Sequence, residues 1–466
     1  MFSKVTPDDV SFFESVCGAA NTLCVGCENF ERYGSDETEN LFFAPEVIVK
    51  PNTTEQIASV VKHCNERRMP VTVRGAGTGL SGGALPVHGG LVVSMERFNN
   101  ILDIDEANGF VITEPGVVTE HLQNTLRDRG WFYPPDPASR GSCFIGGNVA
   151  ENSGGPKAVK YGVVKDYVMN LEMVTSGGDV IWTGANVIKN ATGYNLTQLV
   201  VGSEGTLGIV TKIVLKIIPH PLHDVLMLAP FDSAEKACEA VAAIFKAGIT
   251  PSALEFMERD AIEWAAKFTG DDSTPLPENV QAHLLIEVDG NDMDRLMIEA
   301  EQISNVLERF GCTDVLFADT ATQKATLWKL RRSVAEAVRA HSVYKEEDTV
   351  VSRANLPKLL HTVKSIGKKY GFKSVCYGHA GDGNLHVNII RDNLTEQAWN
   401  ETLPIAIKEL FTEVVRLGGT LSGEHGIGLV QKDYMPIAIS PVALSLMKQI
   451  KTAFDPNGIL NPGKIF

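Results

Sequence analysis

The sequence predicts an α+β protein built from two or three packed domains. Its 466 residues, 44% of them hydrophobic and 21% charged, are enough for several separate cores. From about residue 45 to 220, short apolar runs alternate with glycine-rich loops. From about 222 to 350 the glycine loops drop out, and apolar runs of strand length alternate with amphipathic stretches of helical period. A net charge of −15 argues against a nucleic-acid partner, whose binders carry a basic face, and against docking on an anionic membrane. No stretch approaches the ~20 apolar residues a spanning helix needs. The opening MFSKVTPDDVSFFESVCG is acidic and has no apolar core, so it does not read as a signal peptide, and a cytoplasmic location is expected.

In chain order, PNTTEQIASVVKHCNERRMPVTVRGAG comes first. Ile57, Val60, Val61 and Cys64 fall at helical spacing, Thr53 or Thr54 caps the start, and Pro70 closes the helix before the buried strand VTVRG. Short strands GGLVVSM, NILDID and GFVITEP follow, then a helix over VVTEHLQNTLRDRG closed by Gly130. In the second region HDVLMLAPF, PSALEFME, AHLLIEVDG and TDVLFAD read as strands. Helices over DSAEKACEAVAAIFKAG and NDMDRLMIEAEQISNVLERFG lie between them, an alternation that suggests a ferredoxin-like α+β layer. The chain continues through helix LPKLLHTVKSIGKKYG and two strands, VCYGHAG and NLHVNII, joined at a GDG turn. Helix TEQAWNETLPIAIKELFTEVVRLGG, the motif LSGEHGIG and the segment SPVALSLMKQIKTAFDPNGILNPGKIF complete it. No internal repeat is visible. The eight cysteines read as reduced thiols, and Cys24 and Cys27 form a lone CxxC without the second pair that a zinc or cluster site requires.

Gly77-Thr78-Gly79-Leu80-Ser81-Gly82 is a literal GxGxxG after a strand, with Glu96 at the end of the next strand. A Rossmann site needs a helix opening at the third glycine, whose N-terminus holds the pyrophosphate. Here GALPVHGG, with a proline and three glycines, lies between the strands, so NAD binding is rejected. The glycine run instead suits a nest in which several backbone N–H groups converge on an anion, with Arg74 at its edge. PPDPASRGSCFIGGNVAENSGGPKAVKYG reads as an extended polar loop, and VGSEGTLGIVTKIVLKI places Gly202, Ser203, Glu204 and Gly205 just before a strand; loops this long and polar are usually functional.

His386 and Asn388 share one face of a strand, because side chains alternate with period two, and His379 precedes the turn. Glu424 and His425 lie between glycines in LSGEHGIG. Two histidines and a carboxylate are a sound ligand set for a divalent metal. Spacing alone leaves open whether they meet, since a long helix separates His386 from Glu424.

RGAGTGLSGG, PPDPAS…GGNVAENSGG…YG, VGSEGTLGIVT and the terminal FDPNGILNPGK resemble the FAD-binding signatures of the vanillyl-alcohol-oxidase-type flavoproteins. Within them the similarity is to the FAD-linked D-2-hydroxyacid dehydrogenases, the branch of D-lactate dehydrogenase, the glycolate oxidase catalytic subunit and D-2-hydroxyglutarate dehydrogenase. It covers the chain from about residue 40 onward. It implies a two-subdomain FAD-binding domain over 1–221, a ferredoxin-like α+β cap for substrate over 222–420, and a C-terminal helical segment, 421–466, returning to the flavin. By motif, the pyrophosphate loop would comprise Arg74, Gly75, Ala76, Gly77, Thr78, Gly79, Leu80 and Ser81. Pro135, Asp136, Ser139, Gly146, Gly147, Asn148, Ser153 and Gly154 would lie along the cofactor. Glu204, Gly205, Gly208 and Ile209 would approach the adenine side, and Asn461 the ring. Thr78 stands where many relatives carry a histidine that attaches FAD covalently, so non-covalent FAD is implied.

The same resemblance makes His379, His386 and Glu424 ligands of a divalent metal (Zn, Mn or Fe), and His425 the general base. Asn388 becomes a substrate contact, as does Arg331 in LWKLRRSV through the substrate carboxylate. Lys345 is a further candidate. The activity implied is oxidation of a D-2-hydroxy acid, D-lactate foremost, with glycolate or D-2-hydroxyglutarate as alternatives. Electrons would pass to a protein acceptor, an electron-transfer flavoprotein or an iron–sulfur subunit. A homodimer is compatible with all of this. A metal hydrolase would leave the glycine loops unexplained, and a non-catalytic flavin-binding subunit would not need the complete ligand set.

Overall fold

The computed structural model describes residues 2–38, 41–271, 274, 276–312 and 314–466. These form two compact units, one of residues 1–153, 163–220 and 424–466, the other of 154–162 and 221–423.

The first unit holds two principal sheets, the two subdomains expected of an FAD-binding domain. In one sheet, Thr22–Cys24, Val47–Val49, Leu91–Ser94 and Val71–Arg74 lie side by side, the last three parallel. Helix Thr54–Arg67 covers it. Thr53 caps this helix by accepting from the Gln56 N–H, and Ile57, Val60, Val61 and Cys64 are fully buried against Val47, Val49, Leu91 and Val93. Burying each of the larger of these side chains contributes roughly 1.5–3 kcal/mol. The helix ends at Arg67, before the expected stop at Pro70, because Arg68 takes a left-handed conformation (φ 52°) and turns the chain into the next strand. Leu460 joins the sheet edge beside Val71: Val71 N–H donates to Ile459 O and Asn461 N–H to Val71 O.

The other sheet is antiparallel, ordered Ile101–Asp105, Phe110–Thr113, Ile209–Lys216, Val168–Val174 and Val180–Trp182. The stretch expected to be a long polar loop is partly helical: Ile145–Glu151 is an α-helix with Ile145 and Val149 buried. Periodicity missed it because Gly146 and Gly147 look like loop residues. Gly146 is there for close packing, since a Cβ on it would lie 2.5 Å from Pro115 Cβ.

The second unit contains one seven-stranded sheet. Its order is Leu316–Phe317, His223–Phe231, Ala282–Gly290, Ala253–Glu258, Lys373–Gly378, Asn384–Ile390 and Tyr344–Val350, all neighbours antiparallel. The expected strand TDVLFAD shortens to Leu316–Phe317, and its first residue, Thr313, lies outside the described residues.

His223–Phe231 and Ala253–Glu258, joined through helix Ala234–Lys246, run parallel with Ala282–Gly290 inserted between them, which is the split βαβ of a ferredoxin-like layer. Tyr344–Val350, helix Leu356–Tyr370 and Lys373–Gly378 repeat the arrangement around Asn384–Ile390. Each half ends with a fourth strand beside its first; in the second half that strand is reduced to one bridge, Val350 with Thr420. The sheet is therefore two ferredoxin-like halves joined edge to edge, Phe256 opposite Gly378 and Met257 opposite Tyr377. The sequence shows no such repeat, because pairing order, and not residue identity, is what the halves share.

Candidate active site

In the second unit, polar side chains collect on one sheet face at the seam between the halves. Met257 pairs with Tyr377, Tyr377 with His386, and His386 with Asp348; one step along, Val375, Asn388 and Glu346 are opposite one another. Directly opposed residues point to the same face, so these side chains form adjacent rows. The His379 and His386 rings are 5.5 Å apart between centroids and nearly perpendicular. Both residues are buried. His386 Nδ1 is 3.3 Å from Glu346 Oε1 and 3.8 Å from Asp348 Oδ1. Asn388 is fully buried and its amide has no well-formed hydrogen bond. Burial pushes the Tyr377 hydroxyl well above its ordinary pKa, so the ring is a neutral floor for its neighbours.

Arg331 reaches this face from helix Ala321–Arg332. Its guanidinium carbon is 5.2 Å from the centre of the Tyr377 ring, a cation–π distance, and Nη2 lies 2.6 Å from Glu255 Oε2. Glu255 is fully buried, and both its oxygens are 2.9 Å from His379 Nδ1. Lys345 is half-buried, with Nζ 5.8 Å from the centre of the Trp399 ring.

Sequence reasoning missed Glu255, Tyr377 and Asp348. The available signal was an acid in ALEFM, a strand otherwise apolar. Asp348 is fully buried and anchors the backbone beyond the last long helix of the second unit. It accepts from Asn384 Nδ2 (2.6 Å), Ser422 Oγ (2.7 Å) and Gly423 N–H (2.8 Å). Glu424 and His425 come directly after Gly423, at the point where the chain enters the last stretch of the first unit. Asp348→Ala removes three hydrogen bonds at a fully buried position and is expected to lower stability by about 3 kcal/mol. Urea denaturation checks this, and an unchanged midpoint rejects it.

In the first unit the glycine loop follows strand Val71–Arg74. Arg74 and Ser81 are buried, and Arg74 Nη1 and Ser81 Oγ have no hydrogen-bond partner. A Cβ placed on Gly79 or Gly147 would meet nothing within 4 Å. The loop thus presents unspent donors and open backbone, the chemistry that receives a pyrophosphate.

Other candidates have different surroundings. Asp136 pairs with Arg140 (3.0 Å), and the Ser139 carbonyl accepts from the Ser142 and Cys143 N–H groups. Asn148 Oδ1 is held by the Thr119 hydroxyl at 2.5 Å. Gly208 packs against the Met173 side chain, a Cβ on it would lie 3.1 Å from the Val174 carbonyl oxygen, and Ile209 is part of the apolar core. Ser153 is in the first unit and Gly154 in the second. Asn461, at φ 40°, donates to Gly83 O (2.9 Å) and Glu204 O (2.7 Å).

Glu204, at φ 52°, turns its carboxylate to the GEHGIG segment and accepts from Ile427 N–H (2.8 Å) and Gly428 N–H (2.7 Å). Burial raises its carboxyl to about 7, while these N–H groups and Lys464 pull it down. Burial, with Glu204 and Asp36 near, pushes Glu151 well above the usual carboxylate range. The folded pair thus keeps a proton that free carboxyls release near 4.5. A group with a raised folded pKa stabilises fully below its unfolded pKa and loses that contribution as pH rises through the folded one. Flavin-free protein should therefore melt lower at pH 8 than at pH 5, and Glu204→Gln should flatten the trend. A flat wild-type profile over that window rejects this reading.

The first unit carries a glycine nest and the second carries buried histidines with an arginine, a chemistry that suits a flavin-dependent oxidoreductase of the vanillyl-alcohol-oxidase type. Comparison with known proteins agrees. A family model described as the C-terminal domain of FAD-linked oxidases matches residues 220–465, and an FAD-binding domain matches 45–184. The chain belongs to the FAD-linked oxidase family. It is 38% identical to a D-lactate dehydrogenase of Anaerostipes hadrus, over 100% of this chain and 98% of that one. It is 38% identical to glycolate oxidase subunit GlcD of Bacillus subtilis, over 95% and 94%. It is 34% identical to a D-2-hydroxyglutarate dehydrogenase of Stutzerimonas stutzeri, over 94% and 95%. Among solved structures, p-cresol methylhydroxylase shares the fold at a TM-score of 0.82 and 19% identity, covering 100% of this chain and 98% of its own. FAD is thus the cofactor of this family. No described helix is long and apolar enough to cross a membrane.

Proposed function

We propose that this protein oxidises a D-2-hydroxy acid, D-lactate foremost, to the 2-oxo acid, using FAD and a divalent cation held by His379, His386 and Glu424. The observation that carries the reading is the buried pair His379 and His386 beside Arg331 on one sheet face. Glu424 follows a backbone anchored on Asp348, whose partners include Asn384 at the start of the His386 strand. Relatives named for D-lactate, glycolate and D-2-hydroxyglutarate support the substrate class.

The donor chemistry fits both groups: imidazole and carboxylate suit a divalent ion, and Arg74 and Ser81 offer unspent donors to an anionic dinucleotide. Bound FAD would supply a hydride acceptor, and the cation a Lewis acid that makes a hydroxyl proton easier to remove. Arg331 holds the substrate carboxylate through charge-assisted hydrogen bonds. Asn388 contacts the substrate with its amide. His425, neutral, takes the hydroxyl proton. Thr78 offers no imidazole for attachment, so FAD is held non-covalently; acid precipitation should leave the flavin in the supernatant, and a yellow pellet rejects this.

Electrons leave to a protein acceptor, an electron-transfer flavoprotein or an iron–sulfur subunit, a reading supported by relatives named as a subunit. The deciding experiment is anaerobic reduction of the bound flavin by D- and L-lactate, glycolate and D- and L-2-hydroxyglutarate. Bleaching is expected with D-lactate. Bleaching by an L-acid alone, or by none, overturns the proposal.

A further inference from the structure

We propose that Glu255 is a positioning residue that sets both the metal subsite and the carboxylate subsite; this rests on the function proposed above. Glu255 sits fully buried in strand Ala253–Glu258 of the first half, while His379 directly follows the facing strand, Lys373–Gly378, of the second half. A buried carboxylate is costly unless charge and hydrogen bonds compensate it. Here Arg331 Nη2 at 2.6 Å supplies the charge, and His379 Nδ1, 2.9 Å from both oxygens, supplies a hydrogen bond.

This one side chain acts in two directions. The carboxylate accepts from His379 Nδ1–H, which fixes the tautomer and leaves Nε2 with its lone pair for a metal. It also tethers Arg331 by one nitrogen above the Tyr377 ring. Arg331 Nε stays buried without a hydrogen-bond partner, ready for a substrate carboxylate. The seam between the halves is what makes this arrangement: Phe256 faces Gly378, so the residues on either side, Glu255 and His379, are adjacent across the sheet.

The test uses FAD-loaded protein stripped with a chelator and titrated with Zn²⁺ against a chromophoric competitor. Wild type, Glu255→Gln, His386→Ala and the double variant Glu255→Leu/Arg331→Leu are compared, with circular dichroism reporting the fold. The double variant removes both charges, so it keeps the test alive if Glu255→Gln alone fails to fold. Zinc affinity is expected to fall roughly 10–100-fold in both Glu255 variants, the usual effect of removing a carboxylate behind a ligating histidine. At saturating zinc, Glu255→Gln should also raise KM for D-lactate more than it lowers kcat. A folded Glu255 variant that binds zinc within twofold of wild type overturns the inference alone, and an unchanged KM overturns its Arg331 half. Wild type binding zinc no better than His386→Ala would overturn the metal reading, and this inference with it.

Discussion

His425→Ala should lower kcat/KM for D-lactate by roughly 10²–10⁴-fold, the usual contribution of a positioned general base. FAD content and melting temperature should stay near wild type, because neighbouring residues hold the loop. Gly426 (φ 81°) and Gly428 (φ 50°) pass so close to Glu151 and to the Ser81 carbonyl that a Cβ on either would overlap them. Glu204 accepts from the Ile427 and Gly428 N–H groups, and Leu429 N–H donates to Ser81 O at 2.8 Å. The histidine is thus carried on a backbone that these contacts fix. Anaerobic stopped-flow reduction of the flavin reads the effect directly. The residual rate should lose the acid limb of its pH profile, since that limb reports protonation of the base. A reduction rate within twofold of wild type would remove His425 from the chemistry.

Gly383→Ala should destabilise the protein by about 3 kcal/mol or more, enough to threaten soluble expression. Gly383 has φ 89°, a conformation costly for any residue with a Cβ. A methyl group there would also overlap the Val351 carbonyl. The backbone cannot retreat cheaply: Val351 N–H donates to Gly383 O (3.1 Å), and Gly383 N–H donates to His379 O (3.2 Å). Gly371→Ala is the control, with φ 80° but nothing within 4 Å of its Cβ. It should cost only the backbone term, roughly 1–2 kcal/mol. Equal losses in the two variants would mean that the Val351 contact is not the constraint.

How much of the fold and site is legible in the sequence varies by residue. Period-two alternation and turn chemistry are enough for the strand NLHVNII and the GDG turn, and His386 and Asn388 do share a strand face. The missing helix separates the glycine nest from a Rossmann loop, and that is a local fact. Helix Ile145–Glu151 escapes a sequence reading because two glycines in its first turn mimic a loop, and the packing of Gly146 on Pro115 is visible only in the fold. Glu255 escapes it because an acid in an apolar strand signals a buried partner without saying which. Glu204, expected to lie along the adenine, turns its carboxylate to the backbone of Ile427 and Gly428.

By itself, the sequence determined what depends on neighbours within a few residues: helix and strand periods, caps, turns, and the residue types that can hold an anion, a metal or a proton. Its motifs also carried the family. The tertiary structure alone decided which side chains meet. His379, Glu255 and Arg331 come from the residue after a strand, a strand and a helix far apart in the chain. They converge because two ferredoxin-like halves pair at Met257 and Tyr377. That pairing is fixed by strand order and register, which are cooperative properties of the whole sheet, and a one-residue slip would put His379 and Glu255 on opposite faces.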